Sequence, residues 1–117
     1  MTARARLGRA AEDRIARLLE SRGYEILARN ARVGRLELDI IARRGAVIAF
    51  VEVRARATRS FVHPAETFDA AKRQRVRRAA AQWLSTAGLG SVLPRIDAAT
   101  VVFDTPEGQV EYYENAF

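Results

Sequence analysis

The chain has 117 residues, enough for one compact domain with a hydrophobic core, and its 49% hydrophobic content argues against disorder. It has no cysteine, which excludes disulfides and thiolate metal sites, and no apolar run near the roughly 20 residues of a membrane span. We read no secretory signal and expect a cytoplasmic protein, whose net charge of +6 favours a polyanionic partner, most often nucleic acid.

The first half of the chain predicts one helix and three strands. Apolar residues recur with helical spacing over residues 9–22, and Gly23 fits the position just past the end of that helix. Strands are predicted over residues 24–29, 36–42 and 46–55, with a turn at Arg43–Gly45 between the last two, and a loop follows over residues 57–65.

The second half predicts a long helix and two more strands. The helix covers residues 68–87, with Thr67 as its N-cap, Gly88 as its stop and Trp83 on its apolar stripe. The strands cover residues 96–104 and 110–114, the second at a sheet edge. The order α-β-β-β-α-β-β predicts one domain over residues 1–117, of the α/β class. We expect a mixed sheet of about five strands, flanked by helices, with strand 46–55 at its centre.

Charged residues gather at one end of the hairpin that the second and third strands form. Glu37 and Asp39 begin the second strand, while Glu52 and Arg54 follow the apolar part of the third. Antiparallel pairing puts the start of one strand beside the end of the other. The four charged side chains are therefore expected at the same end of the sheet.

The length of the turn decides which of these residues pair. A two-residue turn at residues 45–46 pairs Asp39 with Glu52, whereas a turn at residues 44–45 pairs Glu37 with Glu52. Both registers put the charged residues on one face. Neighbouring carboxylates repel, so either a basic side chain or a divalent cation should offset them. A surface cluster of salt bridges remains the alternative on the hairpin alone.

Two further charged residues face the apolar sides of their helices. Glu12 precedes Ile15 by three residues, and Lys72 precedes Val76 by four. Lys72 is also the single lysine among 20 basic residues, the others being arginine. Both side chains should point toward the body of the protein. The alternatives are a solvated Glu12 at a helix start and a Lys72 whose stem runs along the apolar edge to water.

Short motifs in a fixed order resemble a known family across nearly the whole chain. They are GRAAE (8–12), GYEILARNAR (23–32), LELDII (36–41), FVEVRAR (50–56), a PAE…K segment (64–72), RID (95–97) and NAF (115–117). The sequence resembles the YraN (UPF0102) group of uncharacterised bacterial proteins. That group is related to the PD-(D/E)xK nuclease superfamily and its Holliday junction resolvases.

The resemblance implies a restriction-endonuclease-like core with Mg²⁺ or Mn²⁺ held by Asp39, Glu52 and the backbone carbonyl of Val53. Glu12 matches the acidic residue that such nucleases often carry on the first helix. Arg54 stands where the superfamily has lysine, and arginine cannot readily act as a base because its pKa stays above about 12. Lys72 is then the residue expected to supply what arginine cannot.

The expected function is a Mg²⁺-dependent endonuclease acting on structured or branched DNA, with Glu12, Asp39, Glu52, Arg54 and Lys72 as catalytic residues. A non-catalytic nucleic-acid-binding module on the same fold is the alternative. A homodimer is expected by analogy with the resolvases alone. The arginines expected to bind phosphates are Arg43, Arg44, Arg56, Arg59, Arg73, Arg75 and Arg77.

Overall fold

The computed structural model describes residues 1–58 and 69–117 and contains one mixed five-stranded sheet with two helices. Its elements are α1 (Ala3–Ser21), β1 (Glu25–Val33), β2 (Leu36–Arg44), β3 (Val47–Arg56), α2 (Ala70–Ala87), β4 (Leu93–Val102) and β5 (Gln109–Tyr113). The strands follow chain order in space, and only β3 and β4 run parallel. This topology confirms the predicted α/β class, with β3 at the centre and β5 at an edge.

The helix starts differ from those predicted because capping side chains set them. Helix α1 begins at Ala3 rather than at residue 9, because Thr2 is its N-cap and the Thr2 hydroxyl accepts a hydrogen bond from the Ala5 amide. Its first residues are exposed, so no apolar periodicity marks them. In α2 the N-cap is Asp69, whereas Thr67, predicted for that role, lies outside the described residues, as does most of the predicted loop. Gly88 ends α2 with φ of 65°, as predicted.

Each helix covers one face of the sheet. Ile15 and Leu19 of α1 pack in one buried cluster with Val51 of β3. Val76 of α2 packs in the other with Phe50. The two faces of β3 are therefore both buried, which accounts for its unbroken apolar run. In the part of the chain that the structure describes, neither helix has the length and apolarity needed to cross a membrane.

The turn between β2 and β3 takes the first of the two predicted registers. Arg44 pairs with Val47 across the two-residue turn formed by Gly45 and Ala46, in which Gly45 has a φ of 60°. The ladder continues to the pair of Ile40 with Val51. One residue further, this register brings Asp39 opposite Glu52.

The alternation of β2 breaks next to Asp39. Leu38 packs with the α2 cluster, whereas Ile40, two residues later, packs with the α1 cluster. On the neighbouring strand, Asn30 has φ of 52°, outside the extended region. The second half of β1 therefore lacks a simple alternation of apolar and polar residues. This explains why the sequence pattern predicted a strand that ends at residue 29, whereas β1 continues to Val33.

A buried carboxylate ties the carboxyl end of the chain to the sheet. Asp97 is fully buried and accepts hydrogen bonds from Arg95 (Nε to Oδ1, 2.9 Å), the Tyr112 hydroxyl and the Asn115 amide. Arg95 also donates to the Tyr24 hydroxyl at 2.6 Å. The network thus joins β4, β5 and the segment after α1 on the α1 face of the sheet.

We expect Asp97→Ala to destabilise the fold by about 3–5 kcal/mol, because it leaves the Arg95 guanidinium without its buried partner. Glu114→Ala is the matched control, since Glu114 is 58% exposed at 3.8 Å from the same guanidinium and should cost at most about 1 kcal/mol. Denaturant unfolding of both variants checks the difference. Equal losses would contradict a network centred on Asp97.

Candidate functional site

Beyond the last backbone pair of β2 and β3, hydrogen bonds from backbone amides to carboxylate side chains connect the two strands. The Val53 amide donates to Asp39 Oδ2 at 2.8 Å, and the Asp39 amide donates to Glu52 Oε2 at 3.3 Å. Each carboxylate is thus bonded to the backbone of the opposite strand. These bonds hold the two carboxylates beside each other without the freedom of surface side chains.

Both carboxylates hold their protons more tightly than ordinary acids. Burial raises the pKa of Glu52 to about 7, and the neighbouring Asp39 adds to the effect. Burial also raises the pKa of Asp39, although the hydrogen bond from the Val53 amide acts in the opposite direction. Two negative charges here are poorly solvated and repel each other, so the site favours either a proton or a cation.

Lys72 provides one positive charge beside this pair. Its Nζ lies 3.5 Å from Glu52 Oε1, and its side chain is 26% exposed. The Asp69 side chain accepts a hydrogen bond from the Lys72 amide at 2.7 Å, which fixes the first turn of α2 over the sheet. The inward direction predicted for Lys72 agrees with this position, while its chemical role stays a prediction. Arg54 is exposed at the same end of β3.

A second group of polar residues lies on the α1 side of the sheet. With its amide oriented to donate, the Asn30 nitrogen is 2.9 Å from Glu12 Oε1 and 3.0 Å from Glu37 Oε1. Burial raises the pKa of Glu12, and the charge of Asp39 adds to this. The expectation that Glu37 shares a face with Glu52 is therefore wrong. The break in alternation at Asp39 turns Glu37 toward α1, while Glu52 faces Lys72 on α2.

Asn30 is the residue of this group that the sequence pattern did not single out. Asparagine tolerates positive φ better than most residues, and an Asn directly after the predicted strand 24–29 is the signal that was available. Asn30, Glu12 and Glu37 border a cavity of about 750 Å³ beside the amino-terminal half of α1. The cavity thus lies on the α1 side of the sheet, where the charge of Asp39 contributes to the raised pKa of Glu12.

The arginines of the β2–β3 turn lie at the opposite end of the hairpin from the carboxylates. Arg43 donates to the Gly45 carbonyl of its own turn at 2.9 Å. Arg44 donates to the Arg22 carbonyl at 3.2 Å and its guanidinium lies 4.5 Å from the Tyr24 ring centroid. Their predicted phosphate-binding role is not supported by proximity to the site.

The remaining arginines of the predicted set are divided among several positions. Arg56 ends β3 on the side of the site, and Arg59 lies outside the described residues. Arg73 is half-buried, in contrast to the surface position expected for it, whereas Arg75 and Arg77 are exposed on different flanks of α2. The described arginines of this set therefore do not lie together on one surface.

The donor atoms at the carboxylate pair fit a hard divalent cation. In residues 1–58 and 69–117 no three or more His, Cys, Asp or Glu side chains are grouped to hold a metal, so Glu12 does not complete a triad with Asp39 and Glu52. Magnesium commonly takes only one or two carboxylates and keeps several waters. The N–H and C=O of a strand residue point the same way, so the Val53 carbonyl is directed toward Asp39.

Comparison with known proteins identifies the family. The model of the Uncharacterised protein family UPF0102 matches residues 11–101. A UPF0102 protein of Sorangium cellulosum is 48% identical over 98% of this chain and 83% of its own. One of Moorella thermoacetica is 41% identical over 97% of each chain.

One solved structure, that of Pyrococcus furiosus SfsA in complex with Ca²⁺, is 16% identical with a TM-score of 0.33. The alignment covers 86% of this chain and 58% of the SfsA chain. This similarity is too low to support a conclusion about the protein. The family match and the identities to the bacterial relatives extend over most of the chain. Both confirm what the motifs predicted: the chain belongs to the UPF0102 family.

Proposed function

We propose that this protein is a Mg²⁺-dependent endonuclease that hydrolyses phosphodiester bonds in structured or branched DNA. The observation that carries the proposal is the pair of Asp39 and Glu52, held side by side by backbone hydrogen bonds and placed next to Lys72. A net charge of +6 on the same chain supports a polyanionic substrate.

Asp39, Glu52 and the Val53 carbonyl are the groups that would hold Mg²⁺ or Mn²⁺. When bound, such an ion supplies positive charge to phosphoryl oxygens and promotes the ionisation of water. The reciprocal backbone bonds keep both carboxylates in one orientation, so little ordering is required when the ion binds.

The two basic side chains near the carboxylates have different proposed roles in orienting water and stabilising charge. Lys72 lies beside Glu52, where it can orient a water molecule and stabilise negative charge on the phosphate. Arg54 can add charge but does not exchange a proton near neutral pH, which lysine side chains do in suitable sites. Glu12, held by Asn30, borders the cavity on the other side and is proposed as an auxiliary acid.

A non-catalytic nucleic-acid-binding module is the competing proposal. Arg54 favours it, because a lysine is the usual residue at this position in the related nucleases. Both proposals expect binding that weakens steeply with salt, so salt dependence does not separate them. Cleavage that depends on Mg²⁺ or Mn²⁺ does.

We expect Asp39→Asn and Glu52→Gln each to reduce metal-dependent cleavage by at least roughly 100-fold without unfolding the protein. Both replacements keep size and remove the charge that would hold the cation. The assay uses linear, flapped and four-way DNA with Mg²⁺ or Mn²⁺. Asp104→Asn, an exposed carboxylate in the turn before β5, is the control. Cleavage that survives Glu52→Gln would show that the site is misassigned.

Lys72→Ala should reduce cleavage by roughly 100-fold, as the loss of a general acid–base or charge-stabilising group does. The comparison is Arg77→Ala, which removes the same charge from an exposed position on another flank of α2. Arg73 is less suitable because it is half-buried. Equal rates for the Lys72 and Arg77 variants would mean that Lys72 contributes surface charge alone.

Stability and metal binding should both depend on the Glu52 proton. An unfolded glutamate loses its proton near pH 4.5, whereas folded Glu52 keeps it to about 7. The metal-free protein should therefore lose stability as the pH rises across this window, since the folded state binds more protons. The increase in melting temperature caused by Mg²⁺ should grow as the pH passes about 7.

Thermal unfolding from about pH 5 to 8, with and without Mg²⁺, measures both effects. Glu52→Gln removes the titrating group and should flatten the metal-free profile. A profile of the same shape in the wild type and in Glu52→Gln would contradict the shifted pKa.

A further inference from the structure

Three arginines from two separate elements line one cavity between the β1–β2 turn and α2, the helix that carries Lys72. Arg75 and Arg78 lie on α2, and Arg35 belongs to the turn between β1 and β2. Together they line a cavity of about 320 Å³, whose apolar wall is formed by Val33, Leu36 and Ala79. The sequence pattern drew attention to the arginines of residues 73–78 on α2 but not to Arg35 as their partner.

Among the described residues, no acidic side chain neutralises the charge of this cavity. In residues 1–58 and 69–117, Arg35, Arg75 and Arg78 make no ion pair, whereas Arg29 pairs with Asp13 and Arg95 with Asp97. Like charges brought together repel unless an anion lies between them. Guanidinium groups bind phosphate well because their paired donors match two of its oxygens. The cavity therefore favours a phosphate-bearing ligand.

The arginines of the cavity follow Lys72 on the same helix. Lys72 Nζ lies 3.5 Å from Glu52 Oε1, and residues three apart on a helix are surface neighbours, about 4.5 Å apart along its axis. Arg75 is therefore a neighbour of Lys72, and Arg78 is a neighbour of Arg75. On the opposite wall of the cavity, Leu36 begins the strand that carries Asp39. The basic side chains thus extend from Lys72, beside the carboxylate pair, to the cavity.

We infer that Arg35, Arg75 and Arg78 bind successive phosphates of one DNA strand that leaves the proposed active site along this flank of α2. The apolar wall would then contact the sugars. This inference rests on the proposed nuclease function, and it adds the path and direction of the bound strand. Arg77 lines a different cavity, toward the carboxyl end of the chain, and lies off the path.

The test measures binding of labelled flapped DNA to the full chain without metal, by fluorescence anisotropy over a salt series. Arg35→Ala, Arg75→Ala and Arg78→Ala should each weaken binding about fivefold at 0.15 M salt and reduce the salt slope by about 1. The double variant of Arg75 and Arg78 is matched with a double variant of Arg14 and Arg17, which line another cavity between α1 and the turn before β5. Circular dichroism melting checks that each variant is folded.

A clearly larger loss for the Arg75 and Arg78 pair supports the path. Equal losses for the two pairs, or no DNA binding by the wild type, overturn it. The outcome for the nuclease proposal is read separately from metal-dependent cleavage by the wild type. Failed cleavage with a selective loss of binding rejects the chemistry but not the phosphate path, whereas normal cleavage with equal losses does the reverse.

Discussion

The candidate site depends on two hydrogen bonds beyond the last backbone pair of β2 and β3, from the Val53 amide to the Asp39 carboxylate and from the Asp39 amide to the Glu52 carboxylate. The two strands are paired by their backbones as far as Ile40 and Val51, and beyond that point each carboxylate accepts from an amide of the other strand. These bonds keep the two carboxylates close to each other at the point where the strands no longer pair through their backbones. Their burial raises the pKa of both groups, so the same feature that shapes the sheet end also strengthens its hold on protons.

The break in alternation beside Asp39 distributes the polar residues over both faces of the sheet. Asn30 takes a positive φ, Leu38 and Ile40 face different clusters, and Glu37 turns toward α1. A regular strand would have put Glu37 and Glu52 on one face, where they would repel. The irregularity instead turns Glu37 toward the amide of Asn30, while Glu52 remains on the other face beside Lys72. Asp39 lies between these groups, and its charge adds to the raised pKa of both Glu12 and Glu52.

The positions of the arginines follow from packing rather than from their number. With 20 basic residues in 117, nearly every surface carries positive charge, so charge alone does not identify a binding face. Arg44 packs on Tyr24 and Arg95 is engaged with Asp97, so both contribute to the stability of the fold. Arg35, Arg75 and Arg78 differ, because they line one shared cavity on the helix that carries Lys72. This shared cavity is the property that separates them from the rest.

The sequence by itself determined the order of the elements and the inward direction of Lys72, and it limited the β2–β3 register to two alternatives. These depend on local periodicity and on a glycine turn, which act between residues close in the chain. The structure selected the register that brings Asp39 opposite Glu52. Only the tertiary structure decided that Glu37 faces α1, that Asn30 bridges Glu12 and Glu37, and that Arg35 joins Arg75 and Arg78. The reason is that the break in alternation between Leu38 and Ile40 depends on how neighbouring strands pack, and that side chains distant in sequence meet only through packing.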